Sequence, residues 1–583
     1  MSSRKRVSAA VLLVLVVVLF SGWITSWGSA FSPDYYHQVQ KNIELFGRVY
    51  QEIAKKYVKE VDPAKFMRAG IEGMLSTLDP YTVLVEKEDN AELQIMSSGK
   101  YGGLGMRIGL RGEWPTVVEP PFEGTPALKA GIREGDQILE IDGKSTKGMN
   151  IVKVANMLRG EIGSKVRLRI LRDGEDEPIE FHLIRDEIIV TDVAYAGMVK
   201  DGIGYIKLTH FSRNAGRDIE KAIRKMKKQG LKGLVLDLRS NPGGLLEAAV
   251  EVSEQFLPKG KLIVSTEGRA NGSVQKYFSE KSPILEDLPL VILVNGLSAS
   301  ASEIVSGAVQ DHDRGLIIGS RTFGKGLVQT VIPITGDAAL KITTAKYLVP
   351  SGRSIQDPAK FFRHGTDVLA DREKGLVENT AQDENIKPTP TGNGDDGGAN
   401  RAFLTEHGRK VYPSHGITPD IEVKEEKLTQ YELELLRKTM PFQFAVVYAS
   451  HHPDLQPGFQ VTDEMLEEFR QFLKEREFDY VSKAELALRE IEDISKKQDF
   501  YASASNSIAD LRTVIEQEKT REFDKSRDFI AEELQQEISA KLWGTRAEIE
   551  ASFDKDQAVQ KALEVLSDPQ RYSQLLHLGK ERK

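Results

Sequence analysis

Between residues 203 and 350 short apolar runs alternate with amphipathic stretches. The runs Ile203–Leu208, 233–238, Leu290–Val294, 315–318 and 339–347 are rich in leucine and β-branched residues and are set off by turn-forming or polar stretches. Such runs predict buried strands. Stretches near 216–229, 245–256 and 300–310 repeat their apolar residues every three or four positions and predict helices between those strands. The alternation predicts an α/β core with a largely parallel sheet.

The flanking regions follow other patterns. Val39, Ile43, Phe46, Val49, Tyr50 and Ile53 predict one helix, and Phe66, Ala69, Ile71, Met74, Leu75 and Leu78 a second, which ends at the turn signal Asp79-Pro80. Residues 96–187 combine the glycine-rich "GKYGGLGMRIGL" with strand-like segments and one amphipathic stretch, "VKVANMLRG", which predicts a small β-rich module. Periodicity disappears across 357–404, where "NIKPTPTGNGDDGGAN" has the composition of a flexible insertion. The core resumes at "GRKVYPSHGITPDIEV". From 426 to 583 helical apolar stripes sit among Glu, Lys and Gln and predict a bundle or an extended arm. The predicted divisions are therefore 1–30, 31–95, 96–187, 188–425 and 426–583.

At 583 residues, 40% apolar and 28% charged, the chain has room for several globular cores. A net charge of −8 argues against a nucleic-acid binder. With no cysteine, disulfides, thiol nucleophiles and Cys-based zinc sites are excluded. Arg4, Lys5 and Arg6 precede the apolar run 9–20, the order of a secretory signal. Gly28 and Ala30 offer a cleavage site before Phe31, while Gly22, Trp23 and Ile24 extend the run toward spanning length. Export is expected to the periplasm or the outer face of the cytoplasmic membrane. Both a cleaved signal peptide and a retained membrane anchor stay open.

Two segments carry candidate chemistry. "GSRTFGKG", 319–326, meets all but the last position of the phosphate-binding pattern G-x-x-x-x-G-K-[ST]. Gly326 stands where a magnesium-binding hydroxyl belongs, and β-prone residues follow where a helix is required, so a phosphate role for Lys325 is disfavoured. Upstream, "NGLSASASEI" places Ser298, Ser300 and Ser302 where a strand turns into a helix. A serine at such a bend can serve as nucleophile, with the next amide aimed at an oxyanion. Taken alone, small residues at such a junction are more often packing or caps. None of the ten histidines falls in a recognisable pattern for its base, and His312 reads as a loop residue. A lysine in a desolvating pocket can replace histidine.

These two segments together resemble the carboxy-terminal processing, or tail-specific, proteases of serine peptidase family S41. The resemblance implies a Ser–Lys dyad 25 positions apart, which selects Ser300 with Lys325 and leaves Ser298 and Ser302 as decoys. It implies that Gln329 orients the amine. It implies an oxyanion hole made by the Ala301 amide with that of Gly243 or Gly244 in "LVLDLRSNPGG". "YGGLGM" and "TPALKAGIREGDQILEIDG" resemble a PDZ domain, which implies that Tyr101, Gly102, Gly103, Leu104 and Gly105 capture the C-terminal tail of a protein substrate, an apolar one. "GMLSTLDPYT" also matches a family segment. No metal or cofactor is implied, oligomeric state is left open, and the PDZ domain is expected either to tether substrates or to gate the cleft. The rival reading is a non-catalytic PDZ scaffold or chaperone of the envelope.

Overall fold

The computed structural model describes residues 33–86, 98–358, 402–424 and 427–577, apart from 123, 173, 174, 176, 270–273, 336 and 337. The basic and apolar N-terminal stretch and most of the 357–404 insertion lie outside the described residues.

A six-stranded sheet forms the core, in the order Val193–Lys200, Ile203–Leu208, Gly233–Asp237, Leu290–Val294, Leu316–Gly319, Ile421–Glu422. The first pair is antiparallel and the rest are parallel. Its central strands are buried throughout, consistent with their unbroken apolar sequence. Helices Ala215–Lys227, Leu246–Ser253 and Ala301–Asp311 cover one face. The chain's last helices, Gln557–Ser567 and Pro569–His577, cover the other, packing Val559, Ala562, Leu563 and Leu566 on Tyr205, Val235, Val291 and Leu293. Part of the C-terminal extension is thus the second layer of the core. A separate bundle around Phe444, Phe469, Ile530 and Leu534 occupies the region before it.

The strand expected over 339–347 exists as Ala338–Leu348 but lies outside the core sheet. It is the backbone of a five-stranded sheet, where Val83–Glu86, Leu262–Gly268 and Leu327–Thr335 all pair with it antiparallel. An apolar-run pattern identifies a strand and says nothing of its partner. Upstream, the helices Pro33–Lys56 and Pro63–Leu75 leave Val39, Ile43, Phe46, Val49 and Met74 exposed. Among the described residues no helix is long and apolar enough to cross a membrane.

The module inserted before the core is a six-stranded antiparallel sheet with the helix Ile151–Leu158 packed on it. Strands Lys100–Gly103 and Asp186–Ile189 pair at its base, where the chain enters and leaves.

Candidate active site

The strand Leu290–Val294 turns into the helix Ala301–Asp311 through 295–300. Ser298 and Ser302 are fully buried and committed: their Oγ atoms donate to the carbonyls of Leu238 (2.7 Å) and Asn241 (2.9 Å). Ser300 is half-buried and occupies the N-cap at φ 56°, ψ −112°, a conformation costly for a residue with a Cβ. Of the three serines, Ser300 alone combines backbone strain with partial exposure.

Lys325 arrives from the segment after Leu316–Gly319. No helix follows it. The strand Leu327–Thr335 does, so the helix terminus a phosphate would need is missing. Its Nζ lies 4.7 Å from the centre of the Tyr81 ring. Gln329 sits on that strand. Strand alternation does not relate 325 to 329, because Lys325 precedes the strand and a register shift falls between Val328 and Gln329. The Gln329 Nε2 is buried without a hydrogen-bond partner among the described residues.

One carboxylate ties these segments together. Glu303, wholly buried on the first turn of the serine's helix, accepts from the backbone N–H of Ser300 (2.8 Å), Gly324 (2.7 Å) and Lys325 (2.9 Å) and from Thr322 Oγ1 (2.6 Å). Burial pushes its carboxyl above the usual glutamate range, and the four donors pull it back. On the carbonyl side, the Tyr347 hydroxyl lies 3.0 Å from Ser300 O and 2.6 Å from Lys325 O. The backbones at Ser300 and Lys325 are therefore gripped on both polar edges. Neither Glu303 nor Tyr347 was among the residues expected from sequence. The signal for Glu303 was present, since Ser-x-x-Glu at a helix start is a capping box.

The glycine pair closes in from the neighbouring strand. A Cβ on Gly243 would come within 2.8 Å of both Ser300 Cβ and Ala301 N, so only glycine fits there. The Gly243 N–H donates to Asn241 Oδ1 at 2.9 Å. Among the described residues the amides of Ala301 and Gly244 have no hydrogen-bond partner. The geometry thus favours the Gly244 amide over that of Gly243 as the one open to an oxyanion. His312 stands at the far end of the helix from Ser300, its ring nitrogens taken by Glu406 and the Leu262 carbonyl. It caps the helix in the turn that follows, a loop position as expected, and is held on both sides. No group of three or more His, Asp or Glu among the described residues is arranged to hold a metal.

In the inserted module a groove of about 290 Å³ runs between the glycine-rich loop and the helix Ile151–Leu158. Tyr101, Gly103, Leu104 and Gly105 line it, with Phe122 and Leu158. Gly102 lies outside it, pressed against the Gly160 carbonyl, which a Cβ would approach to 2.2 Å. The Leu104 and Gly105 carbonyls are taken by the amides of Ala127 and Phe122. The amides of Leu104, Gly105 and Met106 have no partner among the described residues, and such a run of amides suits a carboxylate.

Comparison with known proteins settles the family. Residues 202–360 match peptidase family S41, and 117–172 match the PDZ domain. Over 320 residues the chain is 41% identical to a carboxy-terminal-processing protease of Bartonella bacilliformis, covering 54% of this chain and 73% of that one. This chain belongs to the carboxy-terminal processing proteases of family S41. A carboxyl-terminal-processing protease of Synechocystis is 37% identical over 52% of this chain and 72% of its own length. Among solved structures, a photosystem II D1 C-terminal processing protease is 31% identical over 54% of this chain and 89% of that chain, with a TM-score of 0.32. The flanks match as well: residues 30–89 an "Activating protease CtpB N-terminal domain" and 431–566 a "Probable PDZ-protease, C-terminal helical domain". The protease is thus a peptidase with a PDZ domain and a helical C-terminal region, and a PDZ domain, which binds peptide C-termini, suits protein substrates.

Proposed function

We propose that this protease is an exported serine endopeptidase working through a Ser300–Lys325 dyad on substrates whose apolar C-terminal tails the PDZ groove holds. The observation that carries the reading is the strained, half-buried Ser300 joined through Glu303 to the backbone of Lys325. Neutral Lys325 takes the Ser300 proton as Oγ bonds to the scissile carbonyl carbon. The carbonyl electron pair moves onto oxygen, facing the Ala301 and Gly244 amides. Collapse of that intermediate breaks the C–N bond, and the Lys325 ammonium protonates the departing amine. Water, deprotonated by Lys325, then adds to the acyl carbon, and the Ser300 Oγ–C bond breaks as the Lys325 ammonium returns the proton to Oγ. Gln329 orients the amine in each step. The sequence order of Arg4, Lys5 and Arg6 before the 9–20 run supports export.

Cleavage of a fluorogenic peptide ending in a free valine tests the chemistry. Ser300→Ala and Lys325→Arg should both abolish it, because a guanidinium stays protonated and cannot act as base. Ser298→Ala and Ser302→Ala should keep it. Turnover in Ser300→Ala would overturn the dyad, and tail binding by a natural protein that never cleaves would favour a scaffold.

A further inference from the structure

Among the described residues, the N-terminal segment meets the active site at the turn that follows its second helix. Asp79 organises it, accepting from Tyr81 N–H (2.9 Å) and Thr82 Oγ1 (2.8 Å). The same carboxylate accepts from Thr343 Oγ1 (3.0 Å), and Thr82 Oγ1 accepts from Thr343 N (3.1 Å). Thr343 is the cross-strand partner of Gln329. The turn is therefore bolted to the hairpin directly opposite the residue assigned to orient the base. The strand Val83–Glu86 continues the attachment by pairing with Ala338 to Lys341. From this anchor Tyr81 sets its ring 4.7 Å from Lys325 Nζ. Its hydroxyl is buried without a hydrogen-bond partner among the described residues, so the placement is read from the ring.

We infer that Tyr81 is a further positioning residue of the active site, whose ring steadies the Lys325 amine and favours the ammonium that forms there as Ser300 attacks. The inference rests on the proposed role of Lys325 as base. Its physical ground is the negative face of the ring, which attracts a cation and does so more strongly away from water. Positive charge appears on Nζ only when the serine proton has moved, so part of this attraction is realised in the transition state. The carboxylates acting on Tyr81 are Glu303 on the serine's helix, Asp79 in the same turn and Asp357 after the hairpin, the last of which pairs with His415 (3.2 Å). These carboxylates favour the ammonium alongside the ring. Burial and these three carboxylates hold the Tyr81 hydroxyl above its ordinary range, so it stays neutral throughout the working pH span.

The test compares Tyr81→Leu, Tyr81→Met and Tyr81→Phe in the full chain with the fluorogenic peptide, recording kcat/KM from pH 6 to 10. Loss of the ring in Tyr81→Leu should lower the plateau about tenfold and move the rising limb to lower pH, because the ammonium has lost a partner. Tyr81→Phe restores the ring and should recover to within about threefold, with the limb near its natural place. Tyr81→Met serves where the leucine variant fails to fold. A natural plateau and limb in the leucine or methionine variant, with Lys325→Ala inactive, would overturn the role of Tyr81 while leaving the dyad standing. A phenylalanine variant as damaged as leucine would also overturn it, by assigning the effect to the hydroxyl. Activity in Lys325→Ala would instead overturn the dyad itself.

Discussion

Replacing Glu303 by glutamine asks whether the active site is held together by its own backbone. The side chain keeps its size and loses one acceptor. In the natural protein Oε1 receives Thr322 Oγ1 and Gly324 N–H, and Oε2 receives the Ser300 and Lys325 amides. A glutamine can offer an oxygen to only one of these pairs, and its NH2 must face the other. If the oxygen serves Thr322 and Gly324, the amides of Ser300 and Lys325 meet a donor, and the segments carrying the two residues part. A buried donor left unsatisfied costs about 1–3 kcal/mol, so two cost about 2–6 kcal/mol. Removing a buried charge returns some of this, since burial already opposes ionisation of Glu303. A net loss of about 3 kcal/mol corresponds to about a hundredfold in the population of the assembled site.

The assay is kcat/KM on the fluorogenic peptide, with circular dichroism and thermal unfolding to establish that the domains remain folded. The expected result is a hundredfold loss, to order of magnitude, since displacement of a reacting group by about 1 Å costs about that much. Tyr347→Phe provides the comparison. It removes one hydroxyl that serves the carbonyls of Ser300 and Lys325, and should cost about 1 kcal/mol, or roughly fivefold. If Glu303→Gln cleaves within about threefold of the natural enzyme and unfolds at the same temperature, the clamp is incidental, and the site's geometry must come from packing alone.

Two further outcomes concern the PDZ domain. Where it meets the helical bundle, Glu134 pairs with Lys541 and the carboxyls of Glu533 and Glu548 crowd nearby with Glu537, with burial pushing Glu134, Glu533 and Glu548 up to about 7. Unfolded glutamates titrate near 4.3, so the folded chain holds protons that the unfolded one has released, and stability should fall as pH rises from about 4.5 through about 7. Urea unfolding at pH 5.5 and 8 checks this, and greater stability at pH 8 would contradict it. Amidating the C-terminus of the peptide should raise KM, because the amides of Leu104, Gly105 and Met106 lose the carboxylate they are placed to hold. Equal KM for acid and amide would remove tail capture from the reading.

Much of the site could be read from sequence because its parts are local. Leu290–Val294 is a continuous apolar run, which suits a strand covered on both faces, and Ile203–Leu208 is one interrupted only by Lys207. Ser300 and Gly243 lie at bends that composition already marks. Glu303 was legible in principle, as the Ser-x-x-Glu partner of Ser300 at the start of a helix whose only other charge is Asp311 at its far end. Tyr347 was hidden because an alternating strand gives its aromatic residues no address. Tyr81 was hidden more deeply, since the bonds that place it join positions 261 and 264 residues apart. Its motif was visible, but its destination was a property of the fold.

The C-terminal extension shows how far topology can go where periodicity stops. The strands from Ile203–Leu208 to Leu316–Gly319 are laid side by side in chain order. Right-handed crossovers between parallel strands added in one direction place every connecting helix on one face. The three helices of the core obey this, and they leave the opposite face, with Val235, Val291 and Leu293, uncovered by anything between residues 203 and 319. Strands apolar on both sides cannot face water, so some other part of the chain must supply the second layer. The tail does so, and Tyr572 anchors it: its hydroxyl accepts from Leu290 N (3.0 Å) and donates to Leu290 O (3.1 Å), closing the strand's free end. The stripe Val559, Ala562, Leu563, Leu566 is therefore not a surface awaiting a partner. It is the missing half of a core whose need for it was written into the apolar strands more than two hundred residues earlier.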